Sequence, residues 1–318
     1  MALRLRSRLK RGFSDRLRAT ADWIAPPLVQ LPHPFLRFAP PGHFYSPIPD
    51  PQELSRRREE IFGRDRLQPA GIDLALTQQL ALVEEWSAFA SDFFPPASSE
   101  EAAASNVRFY RRNQFFEGFD AYAYYACLRS CRPRQVVEIG SGHSSALALD
   151  VAETFLEAAP QFTFIEPYPA RLQSVLRPDD AARAQIIQAP VQEVDEAVFR
   201  ALNPNDILVI DSSHVAKVGS DVNHIYLHVL PHLQPGVIIH IHDIFWPFEY
   251  PEAWYGEGRC WNEVYFVQAL LMFNPHWRII HFVSYLTQHH RNAFSRYPAW
   301  ALESPGTSLW LKVAGDAP

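Results

Sequence analysis

Carboxylates and imidazoles at the ends of apolar runs are the groups from which proton transfer and metal binding are built. This chain sets them at two such ends, Asp211-Ser212-Ser213-His214 and His240-Ile241-His242-Asp243. A third stretch, Val136-Val137-Glu138-Ile139-Gly140-Ser141-Gly142-His143-Ser144-Ser145, runs from apolar residues into glycines and small hydroxyls, and a helical pattern starts at Ala146. It reads as strand, tight turn, helix. At such a turn the glycines let backbone N–H groups approach a ligand, while the helix start offers unpaired donors and the positive end of its dipole. A small polar ligand is expected there. A dinucleotide-binding turn wants a third glycine for close helix–strand packing, and that position holds Ser145, which disfavours NAD.

The elements that must position these residues alternate along the chain. Strands are expected at residues 135–140, 162–167, 185–189, 206–211 and 236–243, separated by helices around 145–158, 169–176, 193–201 and 222–230. Near-continuous apolar strands alternating with helices mean a parallel sheet covered on both faces. Residues 277–286 and 308–313 read as two further strands with no convincing helix between them, which suits an antiparallel hairpin at one edge. Upstream, helical periodicity covers 73–94 and 117–130, where Tyr124, Tyr125 and Leu128 read as core. In such a sheet ligands bind beyond the carboxyl ends of the strands where strand order reverses. The first strand delivers the glycine turn, the second Glu166, the fourth Asp211 and His214, the fifth His242 and Asp243.

Glu138 before the glycines, Glu166 after the second strand, and five parallel strands closing on a hairpin resemble the class I S-adenosylmethionine-dependent methyltransferases. The resemblance covers roughly residues 106–318, with 1–105 as an N-terminal extension. It implies an α/β, Rossmann-like, doubly wound, mostly parallel seven-stranded sheet with an antiparallel C-terminal hairpin. It also implies S-adenosylmethionine held by Glu138, Gly140, Ser141, Gly142, Ser145 and Ser212, with Glu166 on the ribose hydroxyls and Gln192 at the adenine. Ser144 stands where the family's fuller pattern has a third glycine.

In the family's strand order the fourth and fifth strands are neighbours, so Asp211, His242 and Asp243 converge. This resembles metal-dependent O-methyltransferases of sugars and natural products, in which such acids hold Mg²⁺ and a histidine three residues beyond the first acid is the base. Asp211 and His214 have that spacing. His242 replaces a usual carboxylate, which shifts preference toward Mn²⁺, Fe²⁺ or Zn²⁺ or removes a ligand. The implied reaction is methyl transfer to a hydroxyl of a small molecule of sugar or natural-product type, with the divalent metal lowering the hydroxyl pKa and His214 removing the proton. The alternatives are a metal-independent class I methyltransferase, a metal-dependent oxygenase using the His-x-His-Asp set, which parallel α/β patterning opposes, and a non-catalytic binding module. His240 reads as a strand residue and Asp221 with His224 as a capping or surface pair. Trp254, Tyr255, Trp261, Asn262 and Glu263 are candidate acceptor contacts or sheet cover.

A formal charge of −6 over 318 residues argues against nucleic acid as a partner, since phosphate binding leaves a basic footprint. Cys127, Cys131 and Cys260 form no disulfide or metal framework, which points to a cytoplasmic protein. No apolar run reaches the roughly 18 residues of a membrane span, and the basic start lacks the apolar stretch of a secretory signal. Arg4, Arg6, Arg8, Lys10, Arg11, Arg16 and Arg18 flank Leu9, Phe13, Leu17, Ala21 and Ile24, an amphipathic helix that lies on its own domain, on an anionic surface or on a partner subunit of a homo-oligomer. Residues 26–51, dense in proline and aromatics, are expected as an ordered arm over the domain and its active-site mouth.

Overall fold

A computed structural model of the chain describes residues 38–63 and 69–315. The expected basic helix and the first part of the proline-aromatic arm fall outside these residues. Residues up to Ile61 form one compact unit and those from Phe62 a second. In the first, turns lead to a helix, Pro51–Arg56, capped by Asp50, whose carboxylate accepts from the Gln52 N–H at 2.9 Å. Within the second unit, helix α1 (Leu76–Ser87) puts Trp86 into the same core as Tyr122 and Tyr125 of α2 (Gly118–Cys131).

The second unit is built on a seven-stranded sheet, β1 (Gln135–Ile139), β2 (Gln161–Ile165), β3 (Ala184–Ile187), β4 (Ile207–Ile210), β5 (Ile238–Ile241), β6 (Trp277–Phe282) and β7 (Leu309–Val313). The order is β3-β2-β1-β4-β5-β7-β6, with β1 to β5 parallel and β7 antiparallel to both β5 and β6. This is the Rossmann-like α/β sheet that the alternation of elements implies. Strand β4 shows why its pattern is apolar throughout: Ile207 and Val209 enter one core, Leu208 and Ile210 the other. Helix α3 (His143–Phe155) covers the first core together with α2.

Several expected elements differ. Residues 283–286 are not strand: β6 ends at Phe282 and helix α6 (Val283–His289) follows. The β-branched Val283 and aromatic Tyr285 read as strand, yet the α6 face of Val283 and Leu286 is buried in the core. The expected helix over 193–201 shrinks to Ala197–Arg200 behind a 3₁₀ turn. That over 222–230 begins at Asp221 and widens into a π-turn, Ile225–Val229. Between β5 and β6, where no helix was expected, lie α4 (Glu252–Gly256) and α5 (Glu263–Leu271).

Candidate active site

Strand order reverses between β1 and β4, and there the register aligns four strand ends. Ile139 pairs with Ile165 and with Ile210, and Ile210 with Ile241, so Gly140, Glu166, Asp211 and His242 each follow at one level. Backbone bonds carry this one residue further: Gly140 N–H donates to Ile165, Asp211 N–H to Ile139 and His242 N–H to Ile210. A cleft of about 650 Å³ opens above this edge.

Gly140 is fixed by two constraints. Its φ is +78°, and a Cβ there would stand 2.0 Å from the Asp211 carbonyl oxygen, so only glycine lets β1 and β4 close at this point. Beneath the turn Glu138 is fully buried. It accepts from Tyr124 Oη at 2.8 Å and Ser144 Oγ at 3.3 Å, and from Ser145 Oγ, which in turn accepts the Gly142 N–H at 3.1 Å. Burial pushes the Glu138 carboxyl up to about 7 against these hydroxyl donors. Above the turn, Glu166 accepts the Ser141 N–H at 3.3 Å and the Tyr168 N–H at 2.8 Å. Ser141 Oγ and His143 Nδ1 are buried with no protein partner, and burial, with the field of Arg171, lowers His143 to about 4. These two atoms are unspent polar capacity at the edge of the cleft.

The far wall centres on His214, whose backbone is left-handed at φ 58°. Its Nδ1 meets the carboxylate of Glu263 at 2.8 Å and its Nε2 that of Asp211 at 3.3 Å, with Asp243 at 3.8 Å. Burial alone would lower this imidazole, but the bonds to Asp211 and Glu263 raise it to about 10. For Asp211, burial raises and the His214 bond with the fields of His242, His214 and His240 lowers, leaving it at about 2. Its side chain is nonetheless 45% exposed, through the mouth of the cleft it floors. Glu263 is fully buried and also accepts from Ser212 Oγ at 2.8 Å and Tyr226 Oη at 3.0 Å. It is held there because the His214 carbonyl accepts the N–H groups of Asn262 and Glu263 at the start of α5.

With this geometry in view, residues 137–244 match the family described as a methyltransferase domain. Residues 137–244 are thus a methyltransferase domain. It is 40% identical over 173 residues to an uncharacterised protein of Archaeoglobus fulgidus, across 53% of this chain and 75% of that one. A Podospora anserina methyltransferase solved with SAH is 17% identical over 74% of this chain and 88% of its own, with a TM-score of 0.41. The O-methyltransferase TomG of Streptomyces achromogenes, solved with SAM, is 15% identical over 74% and 99%, also at 0.41.

Of the cofactor residues expected in this methyltransferase, Gly140, Ser141, Gly142, Glu166 and Ser212 line the cleft. Glu138 and Ser145 do not: both lie under the turn and hold its shape by hydrogen bonds to each other and to Gly142. Gln192 is exposed, donates to the Gly219 carbonyl at 2.8 Å and is not among the cleft-lining residues. The Ser212 hydroxyl is committed to Glu263.

The expected metal ligands Asp211, His242 and Asp243 all line the cleft. His214 Nε2 stands 3.3 Å from Asp211 and 3.8 Å from Asp243, where a shared cation would sit, and His242 Nε2 is 3.8 Å from Asp243. Among the described residues no three His, Cys, Asp or Glu side chains are placed to hold an ion. The physical reason is charge: an imidazolium already answers the two carboxylates. His242 stacks on His240 at 5.7 Å, with burial opposed by the fields of Asp243, Asp211 and Asp120, which raise it. His240 is fully buried against Trp310, and burial keeps it neutral.

Sequence reasoning missed Gln114, Phe115, Phe116 and Arg171 in the cleft lining. The first three ride on a loop tied by Asn113, whose Oδ1 accepts from the Phe115 and Phe116 N–H groups at 3.0 and 2.7 Å. An Asn two residues before an aromatic pair was the available signal. Asp221, read as a capping or surface residue, accepts from both the N–H and the Oγ of Ser213, at 2.6 Å each, and so steadies the loop that carries His214. Its expected companion His224 packs against His228 instead, ring centres 5.4 Å apart. Among the described residues no helix is long and apolar enough to cross a membrane.

Proposed function

We propose that this methyltransferase moves the methyl group of S-adenosylmethionine to a hydroxyl oxygen of a small acceptor, with His214 as proton acceptor. The observation that carries this reading is the pairing of His214 Nδ1 with buried Glu263 at 2.8 Å, which turns Nε2 toward the strand-end level of Gly140 and Glu166. The bound cofactor supplies an electrophilic methyl group on a sulfonium. Glu166 receives the ribose hydroxyls. The unspent Ser141 Oγ and His143 Nδ1, beside a Gly142 that has no Cβ, suit the amino-acid end. As the O–CH₃ bond forms and the C–S pair returns to sulfur, the hydroxyl proton passes to Nε2. The acceptor hydroxyl first takes the place of Asp211 at that nitrogen, while Glu263 keeps the ring oriented. No step runs through a metal, since His214 Nε2 faces both Asp211 and Asp243.

Calorimetry with S-adenosylmethionine, followed by transfer of labelled methyl to hydroxyl-bearing acceptors, tests the reading. Glu166→Ala should weaken cofactor binding at least about tenfold, the scale of a lost charge-assisted hydrogen bond. No binding to the wild type, or equal binding in that variant, removes the cofactor assignment.

A further inference from the structure

The acceptor side of the cleft has a wall of two indoles and one arginine. Trp261 lies 4.3 Å from the His214 ring, centre to centre, and Trp254 meets Trp261 edge to face at 5.0 Å. The Arg259 guanidinium lies over both, 4.7 Å from Trp254 and 5.3 Å from Trp261, and all three side chains line the cleft with His214. Resting on the methyltransferase reading above, we propose that the acceptor carries an oxyanion, a carboxylate or phosphate, on a flat ring, and that Arg259 selects it.

Arg259 and His214 flank the same Trp261 ring, so a molecule small enough to lie on that indole reaches both, its anion at one end and its hydroxyl at the other. The guanidinium rests against two indoles, which restricts it before any ligand arrives and leaves N–H donors for an oxyanion. Its ion pair among the described residues is with Glu257 at 3.0 Å, between side chains 42% and 55% exposed. Such a pair contributes little and yields readily to a ligand oxyanion. The backbone fixes the arginine's place: Gly258 turns at φ +86° and the Arg259 N–H donates to the Trp254 carbonyl at 2.9 Å. The cleft also carries Glu166, and Asp211 and Asp243 at His214 Nε2, which repel an anion from the hydroxyl end and leave it one orientation. The other cleft arginine, Arg171, stacks on Phe115 at 3.9 Å beside Gly142, on the cofactor side.

The test is calorimetry on the protein loaded with S-adenosylhomocysteine, using 3,4-dihydroxybenzoate and its methyl ester as probes of equal shape and different charge. Wild type should bind the acid about tenfold or more tighter than the ester, as expected for one charge-assisted contact. Arg259→Gln should abolish that preference with ester and S-adenosylhomocysteine affinities unchanged, and Arg259→Lys should restore part of it. Displacement of the acid by inorganic phosphate but not acetate marks a phosphate ester as the source, and the reverse marks a carboxylate. Equal affinity for acid and ester in wild type, a preference that survives Arg259→Gln, or no binding of either probe overturns the proposal. Failure to bind S-adenosylhomocysteine would instead sink the methyltransferase reading itself, so the two failures are distinct.

Discussion

The pH dependence of turnover tests the role of His214 directly. In the free protein burial works against its imidazolium, but the bonds from Nε2 to Asp211 and from Nδ1 to Glu263 outweigh burial and raise the pKa to about 10. At pH 7 only about one molecule in 10³ then holds the neutral ring. Because kcat/KM reports the free enzyme, it should climb about tenfold per pH unit from neutrality and level near pH 10, far above the ordinary histidine value of about 6.5. The limb for kcat should lie lower, since the sulfonium charge and the acceptor hydroxyl that displaces Asp211 both disfavour the imidazolium. Stability runs the other way. A histidine raised in the folded state stabilises fully below about 6.5 and loses that contribution as pH rises through about 10, so circular dichroism must accompany the alkaline points. Glu263→Gln removes one of the two charges, so its limb should move to lower pH while its plateau falls with the loss of ring orientation. A wild-type inflection near 6.5, or a limb that Glu263→Gln leaves in place, refutes His214 as a base held between two carboxylates.

Other outcomes follow from the same geometry. Gly140→Ala must place a Cβ 2.0 Å from the Asp211 carbonyl oxygen at φ +78°; the left-handed strain and the overlap together should cost about 2–5 kcal/mol in urea unfolding, and unchanged stability would contradict the close approach of β1 and β4. A divalent cation must compete with the His214 imidazolium for Asp211 and Asp243, so Mn²⁺ binding by calorimetry should be weak at pH 6 and tighten toward pH 9; tight binding at pH 6 argues against that competition. Glu138, raised by burial to about 7, holds a proton in the folded state that the unfolded chain has lost, so its contribution to stability falls between about pH 4.5 and 7; Glu138→Gln should flatten that part of the stability profile, and an unaltered slope would count against the shift.

How much of this was legible in the chain follows from which interactions are local. The succession of strands depends on apolar runs and turn residues that stand next to one another in sequence and is readable, whereas the pairing that brings Gly140, Glu166, Asp211 and His242 to one level is long-range and followed only from the family resemblance. Ser145 was readable as an obstacle to a dinucleotide, but not as the hydroxyl that joins Glu138 to the Gly142 N–H, since that bond exists only once the turn has closed. Glu263 was legible only as a candidate acceptor contact or sheet cover, because its partner His214 lies across a separation of 49 residues. The metal expectation was drawn from Asp211, His242 and Asp243 alone, without the long-range Glu263 that pairs the neighbouring His214 imidazole.

That pairing bears on the direction in which charge flows. Methyl transfer discharges a sulfonium and, once the proton has moved, leaves the positive charge on His214. Asp211, kept ionised by a pKa of about 2, and buried Glu263 lie on either side of that ring. Their field is fixed before the reaction and favours the charge at its destination, which is what lowers a barrier in a preorganised site. The same field makes the neutral ring scarce at pH 7, so strength as a base is gained against population. The incoming sulfonium and hydroxyl offset this balance, which is why the cofactor-bound enzyme and the free enzyme should titrate apart.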